Sequence, residues 1–138
     1  MKVMLDEGAF MPTKAHKTDA GFDLKCSKKV VVPARGSAII NTGVHVELPP
    51  ASVGMLKSKS GLNVKHGITS EGVIDEGYTG AIVVKLYNNS DTDYTFEPGD
   101  KISQLVVLPV FKVNIIQTDL ENFTDTERGT QGFGSSGK

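Results

Sequence analysis

Short apolar runs separated by turn residues recur along most of this 138-residue chain, and their spacing constrains the fold more than any other feature. The runs are rich in β-branched residues, which favour strands, and glycine, proline, asparagine or aspartate stands between them. The predicted strands span residues 1–5, 19–24, 30–32, 37–41, 44–48, 52–56, 73–74, 81–87, 94–96 and 101–109. About ten short strands at even spacing are typical of sandwiches and barrels. We therefore predict an all-β fold.

One segment departs from this pattern. Residues 58–67 indicate a short helix that begins with capping serines and ends at a glycine. Ser60 followed by Gly61 at its start would present free backbone N–H groups beside a hydroxyl, which suits an anion, and Lys59 adds positive charge. The alternative interpretation is a capped surface turn.

Composition excludes several classes of partner. The chain has 15 basic and 16 acidic residues, so no strong basic field argues for nucleic acid or an anionic membrane. The single cysteine, Cys26, cannot form an internal disulfide and is predicted to be a small core residue in a reducing compartment. The sequence has no signal-peptide pattern and no long apolar run, so we expect a soluble, cytoplasmic protein.

The stretch EGVIDEGYTGAIVV, residues 71–84, concentrates the chemistry. We predict a tight hairpin with its turn at residues 75–77 and a return strand over 81–87. Asp75 follows two apolar residues at the end of a strand, and Tyr78 adds an aromatic ring at the same place. These residues, with glycines that let a ligand approach the backbone, predict a nucleoside pocket. The alternative is a turn aspartate beside a cross-strand tyrosine.

Three further polar residues interrupt apolar strands. Asp23 alternates with its apolar neighbours, so its side chain is predicted to point to solvent or to a polar site. Gln104 stands in the apolar run KISQLVVLP and must be paired in the core or face a ligand. His45 alternates with valines and is predicted to face solvent.

The last part of the chain has a different composition. We predict a β domain over residues 1–120 and a flexible glycine-rich arm over 121–138. Residues 132–138, GFGSSGK, match parts of two phosphate-binding patterns, but those patterns require a strand before them and a helix after them. Arg128 and Phe133 nevertheless offer a phosphate fork and a stacking face, which a mere linker does not need.

Five separated segments, taken together, closely resemble the five ordered motifs of the trimeric dUTPases. They are AGFDL (20–24), KSGL (59–62), GVIDEGYTGAI (72–82), GDKISQLVV (99–107) and RGTQGFGSSG (128–137). The resemblance implies a jelly-roll-like homotrimer that hydrolyses dUTP to dUMP and pyrophosphate with Mg²⁺. It also implies active sites shared between subunits, with the hairpin, the other motifs and the arm coming from different copies.

The resemblance further implies a role for each motif residue of the hairpin. Asp75 would hold the 3′-hydroxyl and orient or deprotonate the water that attacks the α-phosphorus. Tyr78 would stack under the deoxyribose and exclude a 2′-hydroxyl. Main-chain groups of the hairpin before Gly72 would read the edge of the uracil, and Gly72, Val73 and Ile74 would belong to the substrate site.

The remaining motifs would bind the triphosphate. Ser60 and Gly61 would contact phosphates, Gln104 would contact phosphate or the attacking water, and Asp23 would reach the metal through water. Lys59 stands where the family usually has arginine, so the phosphate or subunit contacts there are expected to differ.

Within the arm, Arg128, Ser135 and Ser136 would clamp the γ-phosphate, with Gly134 beside them and Phe133 capping the uracil ring. Two other interpretations remain at this stage. One is an enzyme related to dCTP deaminase, and the other is a trimer of the same fold that binds a regulatory protein partner.

Overall fold

The computed structural model describes residues 1–132 and contains ten strands, one α-helix and a short 3-10 turn. The strands are β1 (Lys2–Leu5), β2 (Gly21–Lys25), β3 (Val30–Val32), β4 (Ser37–Asn41), β5 (Val44–Glu47), β6 (Ser52–Lys57), β7 (Ile68–Ile74), β8 (Val83–Asn88), β9 (Tyr94–Phe96) and β10 (Lys101–Pro109). The helix α1 is Ser60–His66, and the 3-10 turn is Leu120–Asn122. The all-β prediction is therefore confirmed.

The strands form one large sheet and two small ones, and every pairing is antiparallel. The six-stranded sheet has the order β2-β10-β6-β7-β8-β4 and curls into a half-barrel. The pairs β1-β5 and β3-β9 form the two small sheets. The core between them is apolar, as the alternating pattern of the strands requires. Its fully buried members include Leu24, Val32, Val44, Ile68, Ile82, Leu86, Phe96, Ile102 and Leu105.

Cys26 belongs to this core, as predicted. Its side chain is buried directly after β2, and Sγ donates a hydrogen bond to the carbonyl oxygen of Glu97 at 3.0 Å. Burial, with a smaller contribution from the charge of Asp100, raises the pKa of the thiol above its ordinary value. The thiol is therefore a structural group that stays protonated at neutral pH.

The prediction of a tight hairpin at residues 71–87 is wrong. Only the first part of β7, Ile68 to Ser70, pairs with β8, while Glu71–Ile74 pairs with Gly54–Lys57 of β6. The chain then crosses from Ile74 to Val83 through an eight-residue loop, residues 75–82, which we call the carboxylate loop. The first part of β7 thus pairs with β8 and the second part with β6. No local sequence pattern indicates this change of partner.

The predicted helix is present, but its start differs from the prediction. Lys59 is the N-cap residue, and no side chain caps the first turn. Gly67 ends the helix with φ of 65°, the left-handed conformation that glycine adopts without strain. Within residues 1–132 the structure contains no helix with the length and apolarity needed to cross a bilayer.

After β10 the chain leaves the packed body. Every residue from 110 to 132 is exposed in the single chain. Several of these residues are large and apolar, with Phe111 95% and Ile115 96% exposed. Two contacts fasten the start of the segment: the Val110 amide donates to the Ala51 carbonyl at 2.9 Å, and Lys112 pairs with Glu76 at 3.0 Å.

Candidate active site

The carboxylate loop begins where β7 ends. Asp75 is its first residue, and the Tyr78 amide donates to the Asp75 carbonyl at 3.0 Å to close a turn. The Asp75 side chain is exposed in the single chain. Ile74, the residue before it, is buried in the core and fixes the point from which the carboxylate projects. The loop thus presents a carboxylate on a rigid strand end.

Tyr78 is held against its own loop. Its Oη donates to the Ala81 carbonyl at 3.0 Å, and its ring lies directly over Gly80. A Cβ at residue 80 would stand 2.5 Å from Oη, so only glycine allows this approach. Tyr78 remains 44% exposed.

Both ends of the carboxylate loop are fastened to the body. Glu76 accepts a hydrogen bond from the Ala51 amide at 3.1 Å and pairs with Lys112, and both donors lower the pKa of Glu76, the ammonium more than the amide. At the other end, the Ile82 carbonyl accepts from the Thr42 amide at 3.0 Å and from the Thr42 hydroxyl at 2.7 Å. These contacts leave little freedom to residues 76 and 82.

The prediction that His45 faces solvent is wrong. Its side chain is only 18% exposed, because the ring lies between the carboxylate loop and the segment after β1. Nδ1 is 2.8 Å from the Thr79 carbonyl oxygen, and Nε2 is 3.2 Å from Oδ1 of Asp6. Alternation along β5 indicated the face of His45 correctly but carried no information about the loop that covers it.

A second group of predicted site residues gathers where β6 leads into α1. Gln104 of β10 lies between Asp23 of β2 and Lys57 of β6 in the register of the sheet. Its Nε2 donates to the Ser58 carbonyl at 3.1 Å, and a Cβ at Gly21 would stand 2.6 Å from its Oε1. Gln104 is thus paired within the protein through Nε2, while its predicted contact with a ligand stays a prediction.

Three serines that sequence reasoning missed support the same turn. The Ser58 hydroxyl accepts from the Ser70 amide at 2.9 Å and donates to the Ser70 carbonyl at 3.1 Å. The buried hydroxyl of Ser103 donates to the Lys57 carbonyl at 3.1 Å and lies 2.8 Å from the Ser70 hydroxyl, which must then be the donor between them. The signal available in the sequence was a serine at inward positions of β7 and β10, where polar groups need partners.

Asp23 is buried and its carboxylate is shared by two lysines. Lys59 binds Oδ1, and Lys101 binds Oδ2 at 2.7 Å. Burial raises the pKa of Asp23, but the hydrogen bonds and charges of Lys101 and Lys59 together outweigh it and hold the pKa below its ordinary value of 3.8. Asp23 thus faces a polar site, one of the two predicted alternatives. Lys59, whose phosphate contact was predicted, is directed to this carboxylate.

We expect Asp23→Asn to lower the free energy of unfolding by about 2 kcal/mol at pH 7, because it leaves two partly buried lysines without their anion. Since the native pKa is depressed, this contribution is present above pH 3.8 and is lost as the pH falls through the native pKa. Urea unfolding at fixed protein concentration should show the difference from wild type shrinking between pH 7 and pH 3.

The matched control is Asp91→Asn, which removes an exposed carboxylate paired with Arg35. Its effect should be smaller, because water replaces an exposed partner at little cost. Equal effects of the two variants would contradict the structural role of Asp23.

One chain does not bring the two groups of predicted site residues together. Ile74 lies opposite Gly54, and Glu71 lies opposite Lys57. Asp75 follows Ile74 at one end of the β6-β7 pair, while α1 follows the other end, so more than about 10 Å of strand separates them. A ligand that touched both groups would have to span the sheet or take them from two copies.

The predicted residues of the arm fall into two sets. Arg128 is exposed, and its Nε donates to the Gln131 carbonyl at 3.0 Å. Phe133, Gly134, Ser135 and Ser136 lie outside the described residues. Among residues 1–132 no three acidic, cysteine or histidine side chains are grouped so as to hold a metal ion. Both oxygens of Asp23 already bind lysines, so the donor set fits Mg²⁺ only as an ion carried mainly by other ligands.

The fold and the site define a class: a small antiparallel β-protein whose exposed carboxylate and aromatic ring stand on a strand-end loop, with a polar turn at the far end of the same sheet. The dUTPase family model matches residues 7–137. The chain belongs to the dUTPase family.

Named relatives agree with this assignment. The deoxyuridine 5'-triphosphate nucleotidohydrolase of Clostridium acetobutylicum is 41% identical over 136 residues, covering 96% of this chain and 92% of that protein. The enzyme of the same name from Debaryomyces hansenii is also 41% identical, over 133 residues, covering 96% of this chain and 83% of that protein.

Solved structures agree as well. The Staphylococcus bacteriophage 80alpha dUTPase with dUpNHpp has a TM-score of 0.92 at 32% identity, covering 99% of this chain and 98% of that chain. A mutant dUTPase from phage phi11 of S. aureus, which coordinates a structural Mg(II) ion, has a TM-score of 0.80 at 31% identity, covering 88% and 98%. The jelly-roll-like prediction is confirmed by these neighbours.

Proposed function

We propose that this chain is a dUTP diphosphatase that hydrolyses dUTP to dUMP and pyrophosphate. The observation that carries the proposal is the carboxylate loop, in which Asp75 and the ring of Tyr78 are both exposed beside a rigid strand end. Membership of the dUTPase family supports the choice of substrate. Phosphoryl transfer needs positioning and charge neutralisation more than a covalent nucleophile, and this loop supplies positioning.

In the proposed reaction a water oxygen attacks the α-phosphorus. Asp75 accepts or orients the proton of that water, the bond from the α-phosphorus to the bridging oxygen breaks, and pyrophosphate leaves with the electron pair. Main-chain groups near Gly72, Val73 and Ile74 read the uracil, as the family resemblance implies. Only the uracil pattern of donors and acceptors satisfies such groups, which rejects cytosine strongly.

The turn between β6 and α1 is proposed to receive the triphosphate. Ser60 and Gly61 are exposed at the start of α1, and the packed serines behind them hold the preceding residues in one conformation. Gln104 reaches the same turn through the Ser58 carbonyl. Lys59 contributes positive charge close to the phosphates but keeps its contact with Asp23, so it is not a bidentate clamp.

Mg²⁺ is proposed to be carried by the phosphate oxygens, where it would neutralise charge, with Asp23 reaching its waters. Magnesium commonly keeps several waters and takes few protein ligands, which agrees with the sparse donor set of residues 1–132. Because Asp23 is bound to Lys59 and Lys101, its proposed role is to orient waters and lysines near the metal.

The active unit is proposed to be a homotrimer. The register of β6 and β7 separates Asp75 from α1 within one chain, which favours a site assembled from two copies. Residues 110–123 expose several large apolar side chains, which would be buried if this segment packed against a neighbouring copy. Arg128 and the residues 133–136 are then proposed to close the site from a third copy.

A substrate panel tests the proposal directly. Purified protein with Mg²⁺ and dUTP, dCTP or UTP is assayed for pyrophosphate and for ammonia. Pyrophosphate from dUTP alone supports the proposal, and ammonia from dCTP would instead support the deaminase. A protein of trimeric mass that leaves all three nucleotides intact would support the regulatory binding module.

We expect Tyr78→Ala to narrow the preference for dUTP over UTP about tenfold or more, because the ring that excludes the 2′-hydroxyl is lost. The measurement is the ratio of kcat/KM for the two nucleotides. Tyr78→Phe is the matched control, since it keeps the ring and removes only the hydrogen bond to Ala81. An unchanged ratio in Tyr78→Ala would show that the sugar is read elsewhere.

A further inference from the structure

His45 lies outside the five motifs, yet it contacts the backbone of the carboxylate loop. We propose that His45 in its doubly protonated form is a positioning residue that holds the carboxylate loop through the Thr79 carbonyl. The kinetic part of this inference rests on the proposed function, whereas the protonation state of the ring is inferred from its contacts with two acceptors.

Both nitrogens of the His45 ring lie within hydrogen-bond distance of an oxygen atom. Nδ1 faces the Thr79 carbonyl oxygen at 2.8 Å, and Nε2 faces a carboxylate oxygen of Asp6 at 3.2 Å. The carbonyl oxygen and the carboxylate oxygen are both hydrogen-bond acceptors. A neutral imidazole has one N–H and would turn a lone pair toward one of these oxygens, whereas the imidazolium donates to both. The arrangement therefore selects the cation.

The charges around the ring favour the same state. Asp6, from the segment after β1, is the carboxylate in direct contact. The next charged groups on the same pair of strands, Lys2 and Glu47, form an ion pair at 3.0 Å and largely cancel each other. The carboxylate loop contributes only the Thr79 carbonyl to the ring. A surface groove of about 340 Å³ borders His45 and lets it exchange protons with solvent.

The shift in the pKa of His45 also favours the cation. The Thr79 carbonyl raises the pKa of His45, partial burial lowers it, and the hydrogen bond and charge of Asp6 raise it again, so that it lies above the ordinary value of 6.5. The imidazolium of His45, which donates both hydrogen bonds, therefore persists to higher pH than the cation of an ordinary histidine, and it is lost as the pH rises through the native pKa.

The contact matters because of what adjoins Thr79. The preceding residue, Tyr78, packs on Gly80 and donates its amide proton to the Asp75 carbonyl. A shift of the Thr79 carbonyl therefore moves the ring of Tyr78 and the turn that carries Asp75. Small misplacements of reacting groups can cost one to two orders of magnitude in rate.

Two substitutions of His45 test its two hydrogen bonds separately. The amide nitrogen of asparagine can take the place of Nδ1 and reach Thr79, whereas that of glutamine takes the place of Nε2 and reaches Asp6. We expect His45→Gln to lower kcat/KM for dUTP about tenfold and His45→Asn to keep most of it. We expect the wild-type kcat/KM to decline as the pH rises through the pKa of His45, and we expect neither variant to show this decline.

The control is His16→Gln, which replaces an exposed histidine in the loop before β2 and should keep the wild-type pH profile. Asp6→Asn should move the declining limb to lower pH, because it removes the carboxylate that stabilises the cation. A His45→Asn enzyme that retains the wild-type limb, or equal activities of the asparagine and glutamine variants, would overturn the proposal.

An NMR titration tests the ring without relying on turnover. The chain has three histidines, so His45→Asn assigns the His45 signal by its loss. We expect its midpoint above 6.5, with the amide signals of Thr79 and Gly80 following the same midpoint in wild type and staying still in His45→Asn. A midpoint at or below 6.5 would overturn the inference. An inactive wild type with this titration intact would overturn only the proposed function.

Discussion

Asp75→Asn is expected to lower kcat for dUTP by at least about 10²-fold while leaving binding of a non-hydrolysable analogue nearly unchanged. A positioned carboxylate that accepts or orients a proton contributes about 10² to 10⁴ in rate, and the amide cannot act as a base. The side chain is exposed at the end of β7, so the substitution should not disturb the packed body. Steady-state kinetics and calorimetric binding of dUpNHpp measure the two quantities.

The control for loss of one carboxylate is Asp91→Asn, in a loop on which no site residue is proposed. It should keep the wild-type kcat. Thermal unfolding of both variants at equal protein concentration verifies the fold, because assembly makes the midpoint depend on concentration. A wild-type kcat in Asp75→Asn would remove this residue from the chemistry and leave the carboxylate loop without its proposed base.

Ending the chain after Glu127 is expected to reduce kcat/KM by about 10²-fold or more while the protein remains folded and trimeric. The deletion removes Arg128 and the residues proposed to clamp the γ-phosphate and cap the uracil. Charge-assisted contacts and closure over the substrate stabilise the transition state, so their loss should lower kcat/KM. The apolar residues of 110–123 remain, and with them the proposed contact between copies. Kinetics with sedimentation analysis measures both outcomes.

A second variant tests whether residues 128–138 act through their side chains or only as a linker. Residues 128–138 are replaced by a glycine and serine segment of the same length, which keeps the chain length but removes Arg128 and Phe133. If these side chains act, this variant should be as impaired as the truncation. Wild-type turnover in either variant would show that the last residues are a linker, and a monomeric truncation would place the trimer contact in the arm.

Much of the architecture was readable from the sequence because strands and turns depend on local residue types. Alternating β-branched runs predicted the all-β class, and the predicted end of the short helix at Gly67 is confirmed. The isolated polar residues Asp23 and Gln104 were also rightly singled out, since a polar side chain inside an apolar run needs a partner. The family followed from five ordered motifs, each of which is weak alone.

The errors share one physical cause. The second half of β7 pairs with β6 instead of completing a hairpin, and the carboxylate loop closes over His45. Both facts concern partners far apart in the chain, and strand pairing carries no local mark of the chosen neighbour. The serines at residues 58, 70 and 103 were missed for the same reason.

The sequence by itself thus determined the secondary structure class, the family and the residue types that can perform phosphoryl chemistry. Only the tertiary structure decided that Lys59 binds Asp23, that His45 holds Thr79, and that Asp75 and α1 lie at opposite ends of one strand pair. Residue type sets what a side chain can donate or accept, whereas long-range strand register sets which partner it meets.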